Sequence, residues 1–205
     1  MNSSRCRRIV LVHGLWDDPS IFDRLRNLFP SGHLEVFTPH LQHFGGYISL
    51  KQLALDLDSL ILQRFGNDSE IDLLGFSMGG IVSRIWLQEM GGALRTNKFL
   101  SVGAPHCGTF TAQLFPFWLV PGIAEMKRGS YLIQKLKNDI STLKFVRCSS
   151  FYCRWDLMVF PGWDAVLPIG KHYSVPVLTH KALISHPISL NILTSEIFNN
   201  QLSSP

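Results

Sequence analysis

Short apolar runs rich in β-branched residues alternate along the chain with longer amphipathic stretches, the order in which a parallel sheet covered on both faces is written. Ile9 to Val12 reads as a buried strand, and Leu34 to Thr38, Glu70 to Leu74 and Phe99 to Val102 read as the next three. Helical patterns fall between them. One opens near Asp18-Pro19, where proline suits the first helical position, and runs through Leu25 to Leu28. Ser49 with Gln52 forms a capping-box signature before Leu50, Leu53, Leu57, Leu60 and Ile61, a helical stripe that Gly66 ends. Ile81 to Met90, closed by Gly91-Gly92, is the third helix. Lys144 to Ser150 and Tyr173 to Leu178 are expected as later strands, the second at a sheet edge because Pro176 has no N–H for a ladder. A final helix opens at Pro187, while Thr109 to Thr142 fits neither period.

With 205 residues the chain has the length of one domain, so the expectation is a single α/β domain over 1–205 with a lid or acyl-pocket insertion at about 109–142. Hydrophobic residues make up 46% and charged residues 17%, which supplies a large core and excludes disorder as the general state. Phe99 to Ala124 carries no Asp, Glu, Lys or Arg, but Gly103, Pro105, Gly108, Pro116, Pro121 and Gly122 break it up, so it is not read as a membrane span. Met1 to Arg8 passes directly into a short apolar run without a small-residue cleavage site, which makes a cytoplasmic location the default expectation.

The formal charge of +4 permits a transient contact with an anionic membrane surface. Lys and Arg are not grouped in a stripe with interleaved aromatics, so no nucleic-acid partner is expected. Cys6, Cys107, Cys148 and Cys153 show neither a CxxC pair nor zinc-ligand spacing, and are expected to be free buried thiols. His40 and His43 make too weak a pair for a metal site. The chain length and charge leave the oligomeric state open.

The strongest chemical signal is Gly75-Phe76-Ser77-Met78-Gly79-Gly80, a G-x-S-x-G motif placed after one expected strand and before the next expected helix. Such a turn strains the serine backbone and brings neighbouring chain so close that a Cβ on the flanking glycines would clash. It lifts the serine oxygen clear of the sheet edge, above the positive end of a helix. A serine hydroxyl becomes a useful nucleophile only when a base takes its proton and an acid holds that base in the right tautomer. Asp156 follows a late strand and His180 follows Val177-Leu178-Thr179, the two places this chemistry requires. The rival acid Asp164 lies further on, in a Pro- and Gly-rich connection, and the rival base His186 stands before Pro187, where it suits a helix cap. His33, His40, His43, His106 and His172 are expected on the surface or in loops.

Acyl transfer also needs N–H donors aimed at the developing oxyanion, each worth about 3–4 kcal/mol. Met78, which follows the serine, supplies one, and the turn His13-Gly14-Leu15-Trp16 offers the amide of Leu15 as the second. The glycines do not form GxGxxG, which disfavours a dinucleotide or phosphate cradle.

Taken with Val12-His13-Gly14, Gly103-Ala104-Pro105-His106-Cys107-Gly108-Thr109, Asp156-Leu157-Met158-Val159 and Thr179-His180, the motif resembles the α/β-hydrolase fold and, within it, the small bacterial triacylglycerol lipases and esterases. The resemblance implies a mostly parallel central sheet with helices on both faces. It also implies Ser77 as nucleophile, Asp156 as acid, His180 as base, and Leu15 and Met78 as oxyanion donors, with no cofactor. Many of these lipases read His-Gly-x-x-Gly, whereas Asp17 stands in the last place here, leaving Leu15 and Trp16 as candidates for the second donor.

The expected activity is therefore serine hydrolysis of carboxylic, lipid-like esters through an acyl-enzyme. An acyl thioesterase, an acyltransferase or a non-catalytic binder of apolar ligands are the alternatives. Thr109 to Met126 is rich in aromatic and aliphatic residues and should lie over the carboxyl edge of the sheet, where an acyl chain gains about 0.8 kcal/mol per buried CH₂. Trp16, Phe110, Phe115, Phe117 and Trp118 are the expected substrate contacts, although the same segment would also serve to complete the core.

Overall fold

The structure is a computed structural model that describes residues 6–30, 32, 34–114 and 120–199. Its strands are β1 (Arg7–Val12), β2 (Leu34–Phe37), β3 (Ile71–Phe76), β4 (Thr96–Val102), β5 (Arg147–Tyr152) and β6 (Lys171–Ser174). They form a six-stranded sheet in the order β2-β1-β3-β4-β5-β6, with every neighbouring pair parallel. The helices are α1 (Asp23–Arg26), α2 (Leu50–Phe65), α3 (Met78–Glu89), α4 (Pro121–Ala124), α5 (Tyr131–Asn138), α6 (Ala182–Ser185) and α7 (Pro187–Phe198).

Both faces of the sheet are buried, which is why the central strands read as continuous apolar runs. Val10, Val12, Leu73 and Phe99 pack on one face against Leu53 and Leu57 of α2 and Ile81 and Ile85 of α3. Ile9, Leu11, Leu74 and Leu100 point to the other face, against Leu25 of α1, Leu183 of α6 and Leu193 of α7. Because all six strands run the same way, the loops after β1, β3, β4, β5 and β6 gather at one edge.

The caps follow the sequence signals closely. Asp18 accepts the Ser20 N–H at 2.8 Å, Ser49 Oγ accepts the Gln52 N–H at 3.2 Å, and Gly66 ends α2 at a φ of 70°. The Gln52 side chain does not close the capping box; its Nε2 donates to Asp56 Oδ1 at 3.0 Å instead. His186 Nδ1 accepts the Ile188 N–H at 3.3 Å, the capping role its place before Pro187 suggested.

Several boundaries differ from expectation. The helix expected from Asp18 divides into a 3-10 turn, Pro19–Phe22, and the single turn of α1. α3 starts at Met78, so Gly79 and Gly80 lie inside it. Lys144 belongs to a 3-10 turn, Ile140–Phe145, anchored by buried Leu143, and β5 begins only at Arg147. β6 is an edge strand that ends at Ser174, ahead of Pro176. The four cysteines are free, but Cys6 and Cys107 are exposed, and only Cys148 and Cys153 are buried.

The irregular stretch after β4 becomes a 3-10 turn, Thr111–Leu114, followed by α4 and α5. It is tied to α3 by Arg84, which is fully buried and donates to Gln88 Oε1 at 2.7 Å, to the His106 carbonyl at 3.3 Å and to the Leu136 carbonyl at 2.8 Å. Burial lowers its guanidinium to about 10, still charged at neutral pH. Glu125 Oε2 accepts the Leu50 N–H at 2.6 Å and so joins the same stretch to the start of α2. No helix among the described residues is long and apolar enough to cross a membrane.

Candidate active site

Ser77 stands between the last residue of β3 and the first of α3, with φ 54° and ψ −125°. A non-glycine residue in that region costs on the order of 1–3 kcal/mol, which the surrounding packing must hold in place. The packing is very close. A Cβ on Gly75 would lie 2.5 Å from the Gly80 Cα, and one on Gly79 would lie 2.3 Å from the Val12 carbonyl oxygen. These glycines are required by the approach of other backbone, and not by a positive φ of their own. The Ser77 N–H donates to the Val102 carbonyl at 2.8 Å, which pins the turn to the end of β4.

Asp156 lies in the loop after β5 and is almost wholly buried. Its Oδ1 accepts the Met158 N–H at 2.8 Å and the Val159 N–H at 3.0 Å, and its Oδ2 faces His180 Nδ1 at 2.7 Å. Both carboxylate oxygens are thus engaged, and the orientation of the group is set by backbone. His180, past the end of β6, packs its ring on Phe76, the neighbour of Ser77, with centroids 4.9 Å apart. Gly103, at φ 57°, leaves room for that ring: a Cβ there would lie 2.9 Å from His180 Cε1. The Nε2 of His180 is shielded from solvent and has no hydrogen-bond partner.

Ser77 and His180 line one cavity of about 80 Å³, together with Leu15, Trp16 and Asp17 from the loop after β1. The far wall is apolar and includes Ala112, Ile123 and Met126 from the stretch after β4 and Met158 and Val159 from the loop after β5. Thr109 joins these two walls, its Oγ1 accepting the Phe160 N–H at 3.0 Å and donating to the Met158 carbonyl at 3.1 Å.

On the opposite side, His13 is fully buried and its tautomer is fixed. Its Nε2 accepts the Leu41 N–H at 3.0 Å, so Nδ1 carries the proton and donates to the Gly14 carbonyl at 3.0 Å. The Asp17 N–H reaches the same carbonyl at 3.4 Å. In a trans peptide the N–H points opposite the C=O, so holding the Gly14 carbonyl sets the direction of the Leu15 N–H. Trp16 follows at φ 61°, with its side chain 57% exposed. Met78 is the first residue of α3, where its N–H is one of the donors a helix leaves unpaired.

The expected Ser77, Asp156, His180, Leu15, Met78 and Trp16 are therefore gathered at one edge of the sheet. Phe110 is not: it is half exposed and stacks under the Arg128 guanidinium, 4.6 Å from its ring centroid, outside the cavity. Phe115, Phe117 and Trp118 lie outside the described residues. The rival acid Asp164 is buried elsewhere and pairs with Arg128 Nε at 3.2 Å. His106, expected on the surface or in a loop, lies in the loop after β4 but is buried, with Nε2 2.6 Å from Ser101 Oγ behind the Ser77 turn. The isolated residue Asp17 was legible only as a departure from a glycine pattern, and Met158 and Val159 carried no chemical signal of their own. Burial raises the Asp17 carboxyl above the usual range, opposed by Lys181 and His180. No group of three metal-ligating side chains occurs among the described residues.

No curated protein sequence gives a significant match to the chain. Among solved structures, the mature form of Bacillus licheniformis lipase BlEst2 is similar at a TM-score of 0.72 and 16% identity, over 93% of this chain and 91% of that one. The chain spans only 52% of the propeptide form of the same lipase. Aspergillus fumigatus lipase B is similar at a TM-score of 0.78 and 15% identity, over 99% of this chain and 55% of that one. A Bacillus anthracis bromoperoxidase is similar at a TM-score of 0.68 and 15% identity, over 92% and 90%. At such identities the likeness is one of fold, shared by proteins named for different activities. A profile of the alpha/beta hydrolase family matches residues 9–172, which runs from within β1 to the start of β6 and takes in both Ser77 and Asp156. With that match over most of its length and a six-stranded parallel sheet clothed by helices, the chain belongs to the alpha/beta hydrolase family.

Proposed function

We propose that the chain hydrolyses carboxylic esters through a serine acyl-enzyme. The observation that carries this reading is the His180–Asp156 pair at 2.7 Å, whose free Nε2 belongs to the same cavity wall as a serine held in a strained strand-to-helix turn. Ser77 Oγ attacks the ester carbonyl as His180 Nε2 takes its proton, and Asp156 stabilises the imidazolium that forms. The N–H groups of Met78 and Leu15 receive the developing oxyanion. Collapse expels the alcohol, to which His180 returns the proton. Water then attacks the acyl-enzyme, giving the carboxylic acid and restoring the Ser77 hydroxyl.

The apolar wall formed by Ala112, Ile123, Met126, Met158 and Val159 suits an acyl chain, and its small volume favours a short one. Two of the similar structures are named as lipases, which agrees with an ester substrate. The chemistry requires no cofactor. The test is a series of p-nitrophenyl esters of increasing acyl length, run with the wild-type chain and with Ser77→Ala beside a fluorophosphonate label. Turnover and labelling are expected in the first and neither in the second. Turnover that survives Ser77→Ala, or a wild-type chain that neither labels nor hydrolyses any ester, would refute the assignment and favour a binding module.

A further inference from the structure

The geometry points to Asp17 as a specificity-determining residue, whose carboxylate receives the ammonium group of a small cationic ester at a place close to the reacting carbonyl. The inference rests on the ester-hydrolase reading and names the charge of the substrate. Of the described residues that line the cavity with Ser77 and His180, Asp17 is the one carboxylate, and none is Lys or Arg. Most of the remaining wall is apolar.

Position puts this carboxylate within reach of a bound ester. Asp17 Oδ2 and Ser77 Cβ each lie 3.0 Å from the point that a Cβ on Gly14 would occupy, so the two atoms are separated by at most twice that distance. The ester carbonyl carbon bonds to Ser77 Oγ, next to that Cβ, so a donor on either half of the ester meets Asp17 when it stands near the carbonyl. The threonine hydroxyls of the wall are already spent. Thr109 Oγ1 is engaged with the Phe160 N–H and the Met158 carbonyl, and Thr111 Oγ1 donates to the Leu157 carbonyl at 2.8 Å. His180 Nε2 serves Ser77. Among the described residues the Asp17 carboxylate accepts no hydrogen bond and forms no ion pair, which leaves both of its oxygens open to a substrate.

Charge then selects the ligand. A half-buried carboxylate without a partner is costly, and a bound cation offsets that cost. Arg24 and Lys181 do not fill the role: both are exposed, both line a neighbouring outer cleft, and neither is paired with a carboxylate among the described residues. Attack by Ser77 adds a second negative charge to the cavity, the oxyanion. An ammonium group beside the carbonyl attracts both charges and donates its N–H to Asp17 in a charge-assisted hydrogen bond. A carboxylate in the same place meets two like charges. Asp17 therefore favours ammonium esters most strongly in the transition state, where it raises kcat/KM, and rejects anionic ones.

The experiment measures kcat/KM for two isosteric pairs of esters, in the wild-type chain and in Asp17→Asn. Methyl 3-aminopropanoate against methyl butanoate carries the cation on the acid, and 2-(dimethylamino)ethyl acetate against 3-methylbutyl acetate carries it on the alcohol. Monomethyl succinate is the anionic ester. Comparing the variant with the wild type cancels the intrinsic reactivity of each ester, and taking each ratio on one preparation cancels any misfolded fraction. The cationic-to-neutral ratio is expected to fall by about tenfold or more in Asp17→Asn, and the pair that responds more strongly shows which half of the ester meets Asp17. Monomethyl succinate is expected to gain by a similar factor relative to methyl butanoate. Asp18→Asn removes a charge one residue away, outside the cavity, and is expected to leave every ratio within about twofold. Ratios unmoved in Asp17→Asn for both pairs, or moved as far in Asp18→Asn, would overturn the inference while the hydrolase reading stands. A wild-type chain that hydrolyses none of these esters, nor p-nitrophenyl butyrate, would overturn the hydrolase reading and the inference with it.

Discussion

Replacing Asp156 by Asn changes one atom, and the structure dictates which way the new amide turns. Oδ1 accepts two backbone N–H groups, from Met158 at 2.8 Å and Val159 at 3.0 Å, so the amide oxygen must remain there. An NH₂ facing those donors would leave all of them unpaired, at about 1–3 kcal/mol each. The NH₂ therefore faces His180 Nδ1, where the carboxylate oxygen now stands at 2.7 Å. A donor at that place forces the imidazole proton onto Nε2, the atom that has to accept the proton of Ser77. The imidazole is then present but in the wrong tautomer, and it has lost the charge that stabilises imidazolium. The expected loss in kcat is about 10⁴-fold, or about 5.4 kcal/mol at 1.36 kcal/mol per decade. Folding stability should fall by only about 1 kcal/mol, because packing and both amide bonds persist. Hydrolysis of p-nitrophenyl butyrate, followed together with urea unfolding, separates the two quantities. Retention of more than a tenth of wild-type kcat, or a comparable loss in Asp164→Asn, would refute the argument from Asp156.

Gly79→Ala sets a Cβ 2.3 Å from the Val12 carbonyl oxygen, and backbone cannot yield there, so a loss of at least about 3 kcal/mol is expected in chemical denaturation. Burial lowers the His106 imidazole well below 6.5, with Arg84 adding to the effect, and burial lowers His13 as well. For both, the unfolded chain binds protons more readily than the folded one. Stability should thus be full above about pH 6.5 and decline as pH falls below it, and His106→Gln should flatten that decline in thermal melts taken across the range. Asp17 has the opposite sign: its carboxyl is raised by burial, so folding is disfavoured once it ionises. Asp17→Asn is expected to raise the melting temperature at neutral pH and leave it unchanged in acid, below the range in which Asp17 ionises.

The linear chain determined the layered α/β architecture, the caps of α2 and α7, and the positions of Ser77, Asp156 and His180 relative to the strands that precede them. These are local matters: a helical period, a proline or a serine at a cap, and a glycine on each side of a serine all act within a few residues. What falls at the sheet edge could be named because parallel strands all end on the same side. The tertiary structure decided everything that depends on which loops meet. It turned Phe110 outward under Arg128, buried His106 against Ser101, and made Asp17 part of the cavity wall. No local period encodes those outcomes, since each is settled by a partner far away in the chain and by whether burial offers it a hydrogen bond or an opposite charge.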